Sequence, residues 1–323
     1  MRVAVTGGCG FIGSHVVDHL LHAGHDVSVL DVSSRWRNPD ARYWQADLFE
    51  PDALAATLAG ADAVFHLAGA ADVNDVAANP VRAVRLNVEG TAMVLDAARR
   101  AGAGRFVLAS TVWVYGAAAG HGELTEDVPI DVRSPGHVYV ATKLSAELLV
   151  HSYREMFGQR YTILRYGIPY GPRMRDALVV ARFVHAARTG EPITIAGTGE
   201  QQRNYVYIAD LADAHVRALA DAAADQTLAL EGGTPVSVRE IADTVCSLVR
   251  PVPVRHTAAR AADYQGVDIS GRLAKELLDW APVTSFPAGV RQYLDWLDHG
   301  EAAPAAATEP AATVLATTAE LDA

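Results

Sequence analysis

Tyr139 and Lys143 stand four residues apart in a stretch with helical patterning, so both side chains project from one face, one turn apart. Of the 27 basic residues only two are lysines, Lys143 and Lys275. A lysine offers a compact ammonium with rotatable donors, where arginine offers a planar fork. A phenol with an ordinary pKa near ~10 is a poor base at neutral pH, and a fixed cation nearby favours its ionised form. The pair therefore reads as an activated tyrosine acid/base. Coincidence among 11 tyrosines remains open on this spacing alone, and the other end of the chain decides.

Such a pair needs a rigid scaffold. Short apolar runs at 2–5, 26–30, 63–67, 105–110 and 161–165 read as strands. Amphipathic stretches at 13–23, 52–58, 80–101 and 137–157 lie between them. Strands and helices alternating at this spacing predict an α/β fold with a Rossmann-type, doubly wound parallel sheet.

The first run leads into a turn carrying Gly7, Gly8, Gly10 and Gly13, with a helix directly after. Glycines at this spacing permit a tight turn, let the backbone approach a pyrophosphate, and let helix pack on strand; the helix N-terminus then faces the phosphates. The second run ends at Asp31, 18 residues past Gly13. A carboxylate there can bind both ribose hydroxyls of an adenosine and repels a 2′-phosphate, which favours NAD over NADP. Arg35 and Arg37 follow closely and would soften that preference. Cys9 reads as a small packing residue in the turn.

Composition sets bounds. The 323 residues suffice for one large domain or two modest ones, and half of them are hydrophobic. A net charge of −11 argues against nucleic acid or an anionic membrane as partner. Two cysteines, Cys9 and Cys246, give neither a disulfide framework nor a metal cluster, so no metal is expected. With no basic-then-apolar leader and no run of 18 uncharged apolar residues, a cytoplasmic location is expected.

Glycine turn, Asp31, Tyr139 and Lys143, in this order, resemble the extended short-chain dehydrogenase/reductase family, in particular its nucleotide-sugar epimerase and dehydratase branch. The resemblance spans about residues 1–298. It extends to Asp47 and Leu48, where the family contacts adenine, and to Leu67, Ala68 and Ala70, which line the cofactor. Asn87 matches the family's helix asparagine. Thr111, four residues before Tyr115 and Gly116, falls where the family places its catalytic Ser or Thr. The resemblance thus implies Thr111, Tyr139 and Lys143 as catalytic residues. It assigns NAD to Gly7, Gly10, Phe11, Ile12, Gly13, Asp31, Asp47, Leu48, Leu67, Ala68, Ala70, Asn87, Tyr139, Lys143, Tyr166 and Ile168. Substrate contacts are implied for Thr111, Val112, Trp113, Arg175, Arg203 and Arg260, with Arg203 and Arg260 on a diphosphate. Guanidinium forks suit phosphate oxygens. Where most relatives have Asn, this chain has Ile168.

The resemblance implies a sugar hydroxyl deprotonated by a tyrosinate while the carbon beneath gives hydride to NAD, leaving a 4-keto sugar. Members that eliminate water carry Asp-Glu after the catalytic Thr, and decarboxylating members usually keep the Glu; here those positions are Val112 and Trp113. What remains suffices for 4-epimerisation of a nucleoside-diphosphate sugar. A one-way NAD(P)-dependent ketoreductase or dehydrogenase is the alternative, and a non-catalytic nucleotide-binding scaffold the more distant one. Arg175 matches a carboxylate-binding Arg of uronate-acting epimerases and equally fits a surface role.

The expected organisation is a nucleotide domain of residues 1–166 plus 204–231 and a smaller α/β substrate domain of 167–203 plus 232–299. Residues 300–323 read as a disordered tail, being Ala, Pro, Thr and Glu with few large apolar residues. A homodimer is implied by the resemblance only, through the helices at 80–101 and 137–157.

Overall fold

Along the central strands successive side chains enter two separate cores, as the two-residue period of a strand requires. Val3 and Val5 join one core and Ala4 the other; Val107 and Ala109 oppose Phe106 and Leu108; Leu164 and Tyr166 oppose Ile163. A sheet buried on both faces explains why these runs are continuously apolar rather than alternating. The computed structural model describes residues 1–117, 123–133, 135–259 and 268–300.

The chain order of the first half is β1 (Arg2–Thr6), α1 (Phe11–His22), β2 (Asp26–Asp31), β3 (Arg42–Gln45), α2 (Pro51–Leu58) and β4 (Ala63–His66). There follow α3 (Val73–Ala78), α4 (Pro80–Val84), a π-helical turn (Arg85–Glu89), α5 (Gly90–Arg100), β5 (Arg105–Thr111), α6 (Val138–Phe157) and β6 (Tyr161–Tyr166). The second half comprises β7 (Ile168–Tyr170), α7 (Val179–Thr189), β8 (Ile193–Ala196), β9 (Gln202–Arg203), β10 (Tyr205–Tyr207), α8 (Ile208–Arg217) and β11 (Gln226–Leu230). It closes with β12 (Val236–Ser237), α9 (Val238–Leu248), β13 (Val254–Thr257), α10 (Arg272–Leu278) and α11 (Phe286–His299).

Seven strands form one sheet in the order β11-β6-β5-β4-β1-β2-β3, and every neighbouring pair is parallel. The order reverses beside β1, which opens a crevice at the carboxyl ends of β1 and β4, the usual ligand position in such sheets. Helices α1 and α8 cover one face, α2, α5 and α6 the other. The expected doubly wound parallel sheet is present. β10 pairs with β7 outside the main sheet, while β11 joins its edge. The remaining strands make two-stranded pairs, β9 with β12 and β8 with β13.

The stretch expected as one helix over 80–101 is helical but changes pitch at Arg85–Glu89, where Asn87 lies buried. Such wide turns insert one residue and recur at functional sites. No helix among the described residues is long and apolar enough to cross a membrane.

Candidate active site

The glycine turn is closed by near-contact with the loop after β4 and with the start of α1. Gly7 has φ 76°, and a Cβ there would lie 2.6 Å from the Ala68 backbone nitrogen. A Cβ on Gly13 would lie 2.1 Å from the Gly7 carbonyl oxygen, so α1 can start against the turn only with glycine at this position. Beside the turn, the Asp31 carboxylate accepts the backbone N–H groups of Cys9 and Ser33, each at 2.9 Å. These bonds fix the carboxylate at the end of β2. The Cys9 thiol is pushed up to about 12 by burial and by Asp31, which makes it inert as a nucleophile.

Asn87 works as a clamp. Its side chain accepts the Ala70 N–H at 2.7 Å and donates to the Ala70 carbonyl and to Thr142, both at 2.9 Å. It thereby ties the loop after β4 to helix α6. Beneath it, His66 bonds Thr6 at 2.8 Å and Thr91 at 3.1 Å, and Thr91 donates to the Asn87 carbonyl. Burial and the Lys143 charge push His66 down to about 3, so it is neutral and structural.

Helix α6 begins at His137, whose ring accepts the Tyr139 N–H at 3.0 Å. That cap fixes the first turn and with it the tyrosine. The Tyr139 phenol is pushed up to about 12 by burial, while a hydrogen bond from Thr111 and the charge of Arg175 act the other way. Thr111 closes β5 and also accepts the Trp113 N–H at 3.2 Å. The Trp113 ring meets Tyr139 edge to face at 6.3 Å. Lys143 is buried, donates to the Ala109 carbonyl at 2.9 Å, and is pushed down to about 8 by burial, against the pull of Glu147. Arg175 thus adds a second positive charge towards the phenol, beside the lysine one turn along α6.

Residues 3–229 match the NAD dependent epimerase/dehydratase family. The chain belongs to that family. This epimerase/dehydratase chain is 34% identical to "UDP-glucuronic acid decarboxylase 6" of Arabidopsis thaliana, over 90% of this chain and 87% of that protein. It is 32% identical to "UDP-glucose 4-epimerase" of Mycolicibacterium smegmatis, over 92% and 98% respectively. Among solved structures it is similar to a UDP-glucuronic acid 4-epimerase from Bacillus cereus in complex with UDP-glucuronic acid and NAD, with a TM-score of 0.84 and 26% identity, covering 93% of this chain and 99% of that one. The cofactor of this epimerase/dehydratase chain is NAD, and the glycine cradle and Asp31 suit it.

The other expected site residues of the epimerase/dehydratase chain fall as follows. Gly10 donates its N–H to the Gly7 carbonyl, and Phe11 and Ile12 open α1 at the turn. Asp47 is exposed and accepts the Phe49 N–H; Leu48 is buried next to it. Leu67, Ala68 and Ala70 form the half-buried loop opposite Gly7. Tyr166 lies buried with its hydroxyl on His215 at 2.6 Å, which leaves that hydroxyl engaged in the core. Ile168 is half-buried and donates its N–H to the Asn204 carbonyl. Val112 is buried and Trp113 partly exposed. Arg175 pairs with Asp72 at 3.1 Å, and Arg203 is buried, donating to the Gln202 carbonyl at 2.7 Å. Arg260 and the tail after residue 300 lie outside the described residues.

Two acidic groups escaped the sequence reading. Glu147 is buried against Arg165, and Glu231, directly after β11, has both carboxyl oxygens buried beside the Asn204 side chain. Burial pushes Glu231 up to about 8, with the Asn204 amide alone favouring its ionised form. Glu147 could have been reached by carrying the four-residue spacing one step beyond Lys143; nothing local signals Glu231.

Proposed function

We propose that this protein is an NAD-dependent nucleoside-diphosphate-sugar 4-epimerase, acting on a UDP-hexose or UDP-hexuronate through a transient 4-keto sugar. The observation that carries the reading is the grouping of Thr111, Tyr139 and Lys143 with Val112 and Trp113 as the next two residues after Thr111. Neither side chain acts as an acid or base near neutral pH, so nothing at these positions assists loss of water after oxidation. The names of similar proteins, a UDP-glucose 4-epimerase and a UDP-glucuronic acid 4-epimerase, support the same choice.

Tyr139 takes the proton of the C4 hydroxyl and later returns it. Thr111 holds that hydroxyl and stabilises the phenolate by the bond it already makes to Tyr139. Arg175 adds positive charge towards the phenol. Lys143, held on the Ala109 carbonyl, fixes the ribose side of the cofactor. NAD, when bound, supplies the hydride acceptor and donor, and so leaves the cycle redox-neutral. Trp113, edge to face with Tyr139, would wall the sugar position while leaving the keto sugar room to turn.

A hexuronate reading has its own support. Arg175 is exposed and lies within electrostatic reach of Tyr139, where a sugar carboxylate would meet it. For either sugar, residues 1–166 plus 204–231 serve NAD, and 167–203 plus 232–299 serve the sugar nucleotide, with Arg203 on the diphosphate. Exposed Val81, Val84, Leu148 and Met156 on α4 and α6 suit a homodimer through these helices. Two free cysteines agree with a cytoplasmic setting.

The test is incubation of the purified protein with UDP-glucose, UDP-glucuronate and their C4 epimers, with and without added NAD(H), followed by NMR. Interconversion of C4 epimers without stoichiometric use of cofactor is expected. Release of CO2 with a UDP-pentose, or consumption of one NADH per keto sugar, would replace epimerisation by decarboxylation or by ketoreduction.

A further inference from the structure

Register places a second charged residue under the lysine. In the β5–β6 pairing Ser110 stands opposite Arg165, and both side chains meet Glu147 of α6. Arg165 grips the carboxylate with two parallel bonds, 3.1 Å to Oε1 and 2.8 Å to Oε2, and Ser110 donates to Oε1. The free Nη1 of Arg165 is engaged too, donating to the Tyr115 hydroxyl at 2.9 Å and to the Glu126 carbonyl at 3.2 Å. The pair is 7% and 5% exposed, so water contributes little to either charge.

Lys143 lies one helical turn before Glu147, and its ammonium bonds the residue before Ser110. The two head groups thus sit on consecutive residues of one strand. Burial disfavours the ammonium and Glu147 favours it. The other groups around Lys143 give no counter-charge: His66 of β4 is neutral, and Asn87 of the wide turn and the Ala109 carbonyl of β5 are uncharged. Tyr139, on the same helix, has its ionised form disfavoured by burial, so it does not serve as a standing counter-charge. Arg165 is spent on Glu147; burial works against its charge, but Glu147 and Tyr115 outweigh that and hold it above its usual range.

Buried ion pairs of this kind are weak sources of stability, because desolvation offsets the attraction, and apolar replacements of similar volume often fold as well or better. A reason for retaining one here lies in what it stands under. We propose that the Arg165–Glu147 pair is a positioning device for Lys143: Arg165 and Ser110 fix the Glu147 carboxylate one turn from the ammonium, and that fixed negative charge keeps Lys143 protonated in a site closed to water. The inference deepens the reading of Lys143 as part of the active pair, yet its test does not need activity.

With two lysines in the chain, selective 13Cε labelling of lysine gives two resonances, and Lys275, exposed on α10, is the internal control. The titration is run on the wild type, on Glu147→Gln, and on the double variant Glu147→Leu with Arg165→Met, which removes both charges and keeps the volume filled. Wild-type Lys143 should titrate near pH 8, and the double variant should titrate at least about one pH unit lower, with Lys275 unmoved. An unchanged Lys143 midpoint in the folded double variant overturns the proposal. The alkaline limb of the epimerase pH profile should shift with it. If the wild type catalyses no epimerisation, the functional reading fails while the lysine titration still decides this one.

Discussion

Arg175 and Asp72 are 103 positions apart in sequence and joined at 3.1 Å. The second oxygen of the Asp72 carboxylate caps α3, accepting the N–H groups of Asn74 and Asp75. A loop of the second half is therefore tied to a helix start in the first, at the rim of the crevice. The same guanidinium biases the Tyr139 phenol towards ionisation. An exposed ion pair adds little stability, on the order of 0–1 kcal/mol, so its consequence should be sought in catalysis.

Arg175→Met is expected to lower kcat/KM for UDP-glucuronate at least about tenfold more than for UDP-glucose, since a charge-assisted bond to a sugar carboxylate is lost only with the uronate. Parallel kinetics on the two substrates measure this. Equal losses on both would confine Arg175 to the phenol and remove the hexuronate reading.

Tyr139→Phe deletes the proton carrier while leaving the His137 cap and the Trp113 contact in place. Turnover should fall about a hundredfold or more, the usual scale for loss of a general acid/base. NAD affinity, followed by fluorescence titration, should stay within a few-fold of wild type. Near-normal turnover would remove the phenol from the reaction.

Asp31→Asn leaves one acceptor where the turn needs two, so either Cys9 or Ser33 loses its partner. Binding of NAD should weaken about tenfold, equivalent to one ordinary hydrogen bond. Discrimination against NADP should relax, because the charge that repels a 2′-phosphate is gone. Titration with both dinucleotides reads the two effects separately.

Glu231 gives a stability signature with a definite sign. Its carboxyl has a folded-state pKa raised from 4.5 to about 8 by burial. Below pH ~4.5 the group is protonated folded or unfolded, and burial costs no charge. Between there and pH ~8 the unfolded chain ionises first, so stability falls as pH rises; above ~8 the loss levels off. Over that window the linkage amounts to roughly a few kcal/mol. Urea midpoints at pH 5 and pH 8.5 should therefore converge in Glu231→Gln and diverge in wild type. The same pH slope in both proteins would show that Glu231 does not carry it.

Much of this was legible from local signals. Glycines after an apolar run, an acid at the next strand end, and a Tyr–Lys pair one turn apart are spacings within single elements, so the sheet and the residues on its edge could be read directly. β3 was missed because only its two central residues are half-buried and Arg42 and Gln45 at its ends are exposed, which breaks the apolar pattern. The ion pair of Arg165 with Glu147 and the buried carboxyl of Glu231 depend on strand register across the sheet, and register is a tertiary property. The charge of Arg175 on Tyr139 did not follow from spacing for the same reason: it comes from a part of the chain distant in sequence.

The π-helical turn at Arg85–Glu89 inserts one residue into an otherwise continuous helix. One residue of α-helix corresponds to about 100° of rotation. The segment before the turn is therefore out of phase with the segment after it. Downstream, Thr91, Val94, Leu95 and Ala98 face the sheet; upstream, Val81 and Val84 look outward. Asn87 falls on the seam, where it can point inward at Ala70 without obliging either half to follow. A single-residue deletion there would leave a straighter helix and bring the two halves into one phase, trading the clamp on the Ala70 loop for regularity. The irregularity lets one helix keep two facings, an inner one anchored to the Ala70 loop and an outer one turned to solvent.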